Sequence, residues 1–112
     1  MTVKQVADAL ELEVLCGTES ALEAEVKAGY CGDLLSWVMG RADAGAAWIT
    51  IMSNPNVAAV ASLQGLCCVI LAEGVAPDEG LGKRIEGEDI PLLRASEPAF
   101  TLAGKLYGLL YA

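Results

Sequence analysis

The chain has 112 residues, 54% of them hydrophobic, and its seven Lys and Arg against fifteen Asp and Glu leave a net charge of -8. That length suits one domain with its own core, spanning residues 1–112, and the charge repels phosphate backbones and anionic lipid, which excludes nucleic acid and membrane surfaces as partners. The N-terminal MTVKQVADALE lacks the apolar core of a signal peptide and no apolar run approaches the roughly 20 residues needed to cross a bilayer, so a cytoplasmic protein is expected.

In chain order, Thr2-Val-Lys-Gln5 has the form of a capping box and opens a first helix carrying Val3, Val6, Ala7 and Leu10 at helical spacing. Leu12 to Cys16 reads as a strand stopped by Gly17-Thr18. Ser20-Ala-Leu-Glu23 has capping-box letters, but Gly29 leaves room for only a short helix, and a loop followed by a strand within Glu25–Cys31 is expected. Asp33 is placed to cap a short helix through Leu34, Leu35, Val38 and Met39 that ends at Gly40.

The stretch Gly45 to Gly74 carries the central β-α-β unit. Trp48–Met52 and Cys67–Leu71 are uncharged and rich in β-branched or aliphatic residues, as strands covered on both faces require. Between them, Asn54 and Pro55 serve as helix cap and first helical residue, and Val57, Val60, Ala61 and Gln64 form one helix face. Pro77-Asp-Glu is expected to begin a further helix closed by Lys83-Arg84, and Ile90–Arg94 to form the last strand. Ser96-Glu-Pro98 opens a final helix with two apolar stripes, Leu102, Ala103, Leu106, Leu109 and Leu110 on one and Phe100, Gly104, Tyr107 and Tyr111 on the other. The alternation predicts an α/β fold class, a three-layer single domain with a mostly parallel sheet flanked by helices.

Open parallel sheets bind ligands at the carboxyl ends of their strands, where loops meet helix N-termini. Ser53, Asn54 and Asn56 fall there, as do Ser96 and, between a strand and a helix, Tyr30, Cys31 and Asp33. Ser53 and Asn54 beside free helical N–H groups could hold a small anionic, nucleotide-like ligand, although helix capping alone is the more common use of such residues. Catalytic groups are not assigned: the chain has no His, and no paired acids share a helix face. Gly80-Leu-Gly-Lys-Arg84 lacks the spacing and the following Ser or Thr of a phosphate-binding loop. The four Cys include no C-x-x-C pair, and Cys67 and Cys68 adjoin in a strand, so no metal or cofactor is expected and the thiols read as buried and reduced.

Gly29-Tyr-Cys-Gly-Asp-Leu-Leu-Ser36, Val38-Met-Gly40, Trp48-Ile-Thr50, Asn54-Pro-Asn56 and Ile90-Pro-Leu-Leu93 together resemble the stand-alone DRTGG domain, which is similar to the N-terminal domain of HPr kinase/phosphorylase. The tract that names the family falls near Glu25-Val-Lys-Ala-Gly29, and of it only Gly29 matches. The resemblance implies a Rossmann-like three-layer domain, often a homodimer, without established catalysis; the kinase activity of that enzyme belongs to a separate P-loop domain. The resulting expectation is a non-catalytic regulatory or interaction module that pairs with a second copy through Phe100, Tyr107 and Tyr111 and senses a small anionic ligand, with another protein as a further possible partner. The alternative is an enzyme or enzyme subunit acting on a phosphorylated or nucleotide substrate. A cysteine-based metal protein is the third reading.

Overall fold

The computed structural model describes residues 1–112. Its strands are β1 (Glu13–Cys16), β2 (Ala28–Cys31), β3 (Ala46–Thr50), β4 (Cys68–Leu71) and β5 (Leu92–Arg94), joined in one sheet in the order β1-β5-β4-β3-β2. The helices are α1 (Val3–Ala9), α2 (Glu19–Leu22), α3 (Leu35–Arg41), α4 (Asn56–Gln64), α5 (Leu81–Gly87) and α6 (Ala99–Tyr111). Strands β2 to β5 are parallel, and β1 lies antiparallel on β5.

Side chains that alternate along β3 and β4 build two cores. Ala47, Ile49, Cys68 and Ile70 point toward α1 and α6, where they meet Val3, Val6, Leu102 and Leu106. Ala46, Trp48, Val69 and Leu71 point toward α3, α4 and α5, where they meet Val38, Val57, Ala61, Leu81 and Ile85. Every residue of β3 and β4 is buried, which is why both segments are apolar on both faces. The expected three-layer α/β sandwich is therefore the observed one. Because α3, α4 and α5 share one face and the chain steps from β2 to β5 without reversing, the parallel strands contain no switch-point crevice of the doubly wound kind. A site at the strand ends has to be built by loops.

The local signals largely hold. Thr2 Oγ1 accepts from the Gln5 N–H at 3.1 Å while Gln5 Oε1 accepts from the Thr2 N–H at 2.9 Å, so the capping box is complete. Asn54 Oδ1 accepts from the Asn56 N–H at 2.9 Å, and Pro55 already has helical dihedrals (φ -59, ψ -21), as the cap-and-proline reading requires.

Other expectations are corrected. The segment read as a loop contains one helical turn, α2, because Thr18 rather than Ser20 supplies the cap, accepting from the Ala21 N–H at 3.0 Å. The central strands are shifted from their apolar runs: β3 is Ala46–Thr50 instead of Trp48–Met52, and β4 begins at Cys68 instead of Cys67. Asp33 caps nothing: α3 has no side-chain cap, and the Asp33 carboxylate is bonded to β3's end instead. α3 breaks where Met39 leaves helical geometry and Gly40 takes φ +86, which agrees with the expected stop at Gly40. The helix expected from Pro77 starts at Leu81, since Gly80 at φ +94 turns the chain and Asp78 is engaged by Ser53. It runs on past Lys83 and Arg84 to Gly87.

Candidate functional site

The carboxyl ends of β2 and β3 are tied together by one carboxylate. Asp33 Oδ1 accepts from the Thr50 hydroxyl and from the Ile51 N–H, each at 2.9 Å, and Thr50 Oγ1 in turn accepts from the Met52 N–H at 3.1 Å. Thr50 is the buried polar side chain of the core at 1% exposure, so this clamp satisfies a hydroxyl that has no access to water. Beside it, the Trp48 indole donates to the Gly32 carbonyl at 2.8 Å. Tyr30 is half-buried with its ring edge against Gly32, where a Cβ would come within 3.1 Å of Tyr30 Cε2. A side chain at position 32 would require that ring to yield slightly.

Ser53 and Asn54 stand in the loop between β3 and α4. The Ser53 hydroxyl donates to Asp78 Oδ1 at 2.8 Å, and the Asp78 N–H donates to the Ser53 carbonyl at 2.9 Å, which locks this loop to the one after β4. Asn54 spends its side-chain carbonyl on the Asn56 N–H, and Asn56 itself is exposed. Ser96 is exposed at the end of β5, in a shallow hollow shared with Glu11, Glu13, Gly74 and Arg94. There Arg94 Nη2 donates to the Gly74 carbonyl at 2.8 Å, and its Nη1 lies 3.9 Å from Glu13.

The structure thus distributes the sequence-predicted residues along the rim. Tyr30 and Asp33 belong to the β2–β3 end, Ser53, Asn54 and Asn56 to the entry of α4, and Ser96 to β5, three strands or about 14 Å from β2. Asp33 and Asp78 make the rim's middle acidic.

Sequence reasoning missed a second concavity. Between the outer strand β2 and α6 lies an apolar groove of about 370 Å³ lined by Gly29, Cys31, Ile49, Leu106, Tyr107 and Tyr111 among others. It exists because β2 is a sheet edge and Gly29 has no side chain to fill the gap; a Cβ there would lie 3.1 Å from Leu106 Cδ2. Gly29 and Cys31 are exposed in it. Desolvation, and secondarily the Asp33 carboxylate, push the Cys31 thiol up. The expected interface residues lie on α6, with Phe100 91%, Tyr107 66% and Tyr111 57% exposed. Leu34 and Trp37 are exposed on the opposite layer, where the Arg41 guanidinium stacks 4.0 Å above the Trp37 ring.

The thiols do not form a ligand set. Cys67 and Cys68 are buried with sulfurs 3.9 Å apart, and no group of three or more His, Cys, Asp or Glu is arranged to hold a metal ion. No helix is long and apolar enough to cross a membrane.

The family model described as "DRTGG domain" matches residues 5–109. The chain is similar to the crystal structure of the CBS and DRTGG domains of the regulatory region of Clostridium perfringens pyrophosphatase complexed with activator, diadenosine tetraphosphate, with a TM-score of 0.72 and 13% identity. That likeness covers 92% of this chain and 44% of the other, so this chain spans less than half the length of the relative, and at such identity what is shared is the fold. A search of curated proteins gave no match. The family match takes in every strand and all the helices but the outermost turns of α1 and α6, and the chain belongs to the DRTGG domain family.

Proposed function

We propose that this protein is a non-catalytic regulatory module that works as a homodimer and senses a small anionic, nucleotide-like ligand at the carboxyl rim of its sheet. The observation that carries the reading is the state of the rim's polar groups. They are spent on one another, Asp33 on Thr50 and Ser53 on Asp78, and the chain contains no His to activate a hydroxyl. Such a rim joins loops and can be rearranged by a ligand. The similar pyrophosphatase fragment is a regulatory region complexed with an activating dinucleotide, which supports a regulatory role for this chain.

The ligand is placed at Ser53, Asn54 and Asn56, with Tyr30, Asp33 and Ser96 along the same rim. An anion entering there takes the Ser53 hydroxyl from Asp78 and so loosens the loop before α5. A thermal-shift screen of nucleotides and phosphorylated metabolites, diadenosine tetraphosphate included, is the direct test. Ser53→Ala and Asn54→Ala should each weaken a binder found this way by about tenfold, the value of one charge-assisted hydrogen bond; unchanged affinity in both would remove the site from this loop. The dimer is supported by the exposed aromatics of α6, and sedimentation that gives only monomer up to 100 µM, about the concentration of weak complexes, would refute it.

A further inference from the structure

We infer that Cys67 and Cys68 form a reversible oxidation site, at which hydrogen peroxide joins the two thiols in a disulfide between adjacent residues. The site lies at the start of β4, at the end of the sheet away from the carboxyl rim, and stands independently of the ligand and dimer readings above.

Adjacent residues of a strand point their side chains to opposite faces, which would keep two such thiols apart. Here β4 begins only at Cys68, and Cys67 sits in the bend that enters it. Both side chains therefore join the core beneath α1 and α6, where their sulfurs lie 3.9 Å apart in a thiol hydrogen bond. No other pair of cysteines competes within the chain. Cys16 packs on the opposite core, and Cys31 stands two strands over and two residues further along than Cys68. That places it about 12 Å away, beyond the roughly 7 Å that a disulfide spans between Cα atoms.

The two thiols differ in the way the chemistry needs. Cys68 is fully buried, whereas Cys67 keeps 8% exposure, so a small oxidant approaches Cys67. The hydrogen bond with Cys68 pulls the Cys67 thiol down, while burial and the Glu25 carboxylate oppose it. The Cys67 thiolate attacks the peroxide, the O–O bond breaks, and Cys67 becomes a sulfenic acid as the departing hydroxide takes up the proton that Cys67 released. Cys68 sulfur then displaces the remaining oxygen: the S–S bond forms, the S–O bond breaks, and the Cys68 proton leaves with that oxygen. Two electrons pass from the thiols to the peroxide, and two waters are released. A bond between neighbours holds its Cα atoms about 3.8 Å apart, below the usual range, so it is strained and readily reduced, as a switch requires. Closing the ring turns the peptide between the two residues. The contact it disturbs is the Cys67 N–H, which donates to the Ala46 carbonyl at 3.0 Å and ties the entry of β4 to the start of β3.

Peroxide treatment of the Cys31→Ser protein, followed by proteolysis and mass spectrometry, tests the pair without interference from the exposed thiol. The fragment that holds Cys67 and Cys68 should lose the mass of two hydrogens and regain it with dithiothreitol. An unchanged fragment, or one that only gains oxygen, would overturn the site, and this readout needs no change to either thiol of the pair. Adding Cys68→Ser should leave Cys67 as a sulfenic acid that dimedone traps once the chain is unfolded; a trapped adduct appearing only in a Cys67→Ser protein would overturn the order of attack. As a second measurement, hydrogen exchange at the Cys67 amide should be about tenfold faster in the oxidised chain, as a lost backbone bond allows. Equal rates in the two forms would overturn the action on the β3–β4 junction.

Discussion

The Asp33 carboxylate accepts the Thr50 hydroxyl across the β2–β3 junction at 2.9 Å, and the same oxygen takes the Ile51 N–H. Thr50 is buried, so removing the acceptor strands a hydroxyl that water does not reach. Asp33→Ala should therefore cost about 2 kcal/mol, toward the upper part of the range for a buried group left unpaired. Asp33→Asn keeps a carbonyl oxygen in place and should cost about half as much. Urea midpoints for both variants check this; equal losses would mean that the clamp acts through charge alone.

That clamp also marks where sequence reasoning reaches its limit. Thr2 with Gln5, and Asn54 with Pro55, were legible because both partners lie within a few residues and the rule that joins them is local. Asp33 obeys a local rule equally well, yet its partners come from a strand 17 and 18 residues away, and those non-local bonds won. Asp78 was likewise taken from a helix start by Ser53, 25 residues before it. The three-layer fold was legible from the apolar runs of β3 and β4. The groove was not, because it depends on β2 being a sheet edge, and strand order is not written in any one segment.

Ser53 and Asp78 give a prediction of opposite sign to the usual loss-of-contact experiment. With its hydroxyl held by a carboxylate at 2.8 Å, the rim has to displace a negative charge before it takes an anion. Asp78→Asn removes the charge while keeping a carbonyl acceptor. Titration calorimetry of a phosphate-bearing binder should show affinity raised by about threefold to tenfold, on the scale of one screened charge interaction near a surface. Weaker binding by the variant would mean that Asp78 contacts the ligand.

Cys68 and Cys16 predict a fall in stability at alkaline pH, opposed in part by Cys67, whose thiol the hydrogen bond with Cys68 pulls down. The hydrogen bond to Cys67 and then complete burial push the Cys68 thiol well up, and burial first and Glu86 second push up Cys16. Raised values in the folded state mean that the unfolded chain gives up these protons first. The stability they contribute is thus complete below about pH 8 and is lost as pH rises beyond it. Denaturant midpoints should fall between about pH 8 and 10, and Cys68→Ala should flatten that slope. In native protein at pH 8, iodoacetamide should label the exposed Cys31 ahead of the other three, and the rate should climb with pH because its thiol is also raised.

Glu73 combines a benefit and a strain that two substitutions separate. Its carboxylate accepts the Ala99 N–H at 3.0 Å, capping α6 from outside the helix where Pro98 supplies no side-chain cap. Its own backbone sits at φ +61, which disfavours any residue with a Cβ. Glu73→Ala loses the cap and keeps the strain, so it should destabilise by about 1 kcal/mol. Glu73→Gly loses the same cap but relieves the left-handed conformation, a gain of about 1 kcal/mol. The glycine variant should therefore unfold at nearly the parent's urea concentration, well above the alanine variant. If the two variants unfold together, the positive φ carries no strain and the cap alone explains the loss.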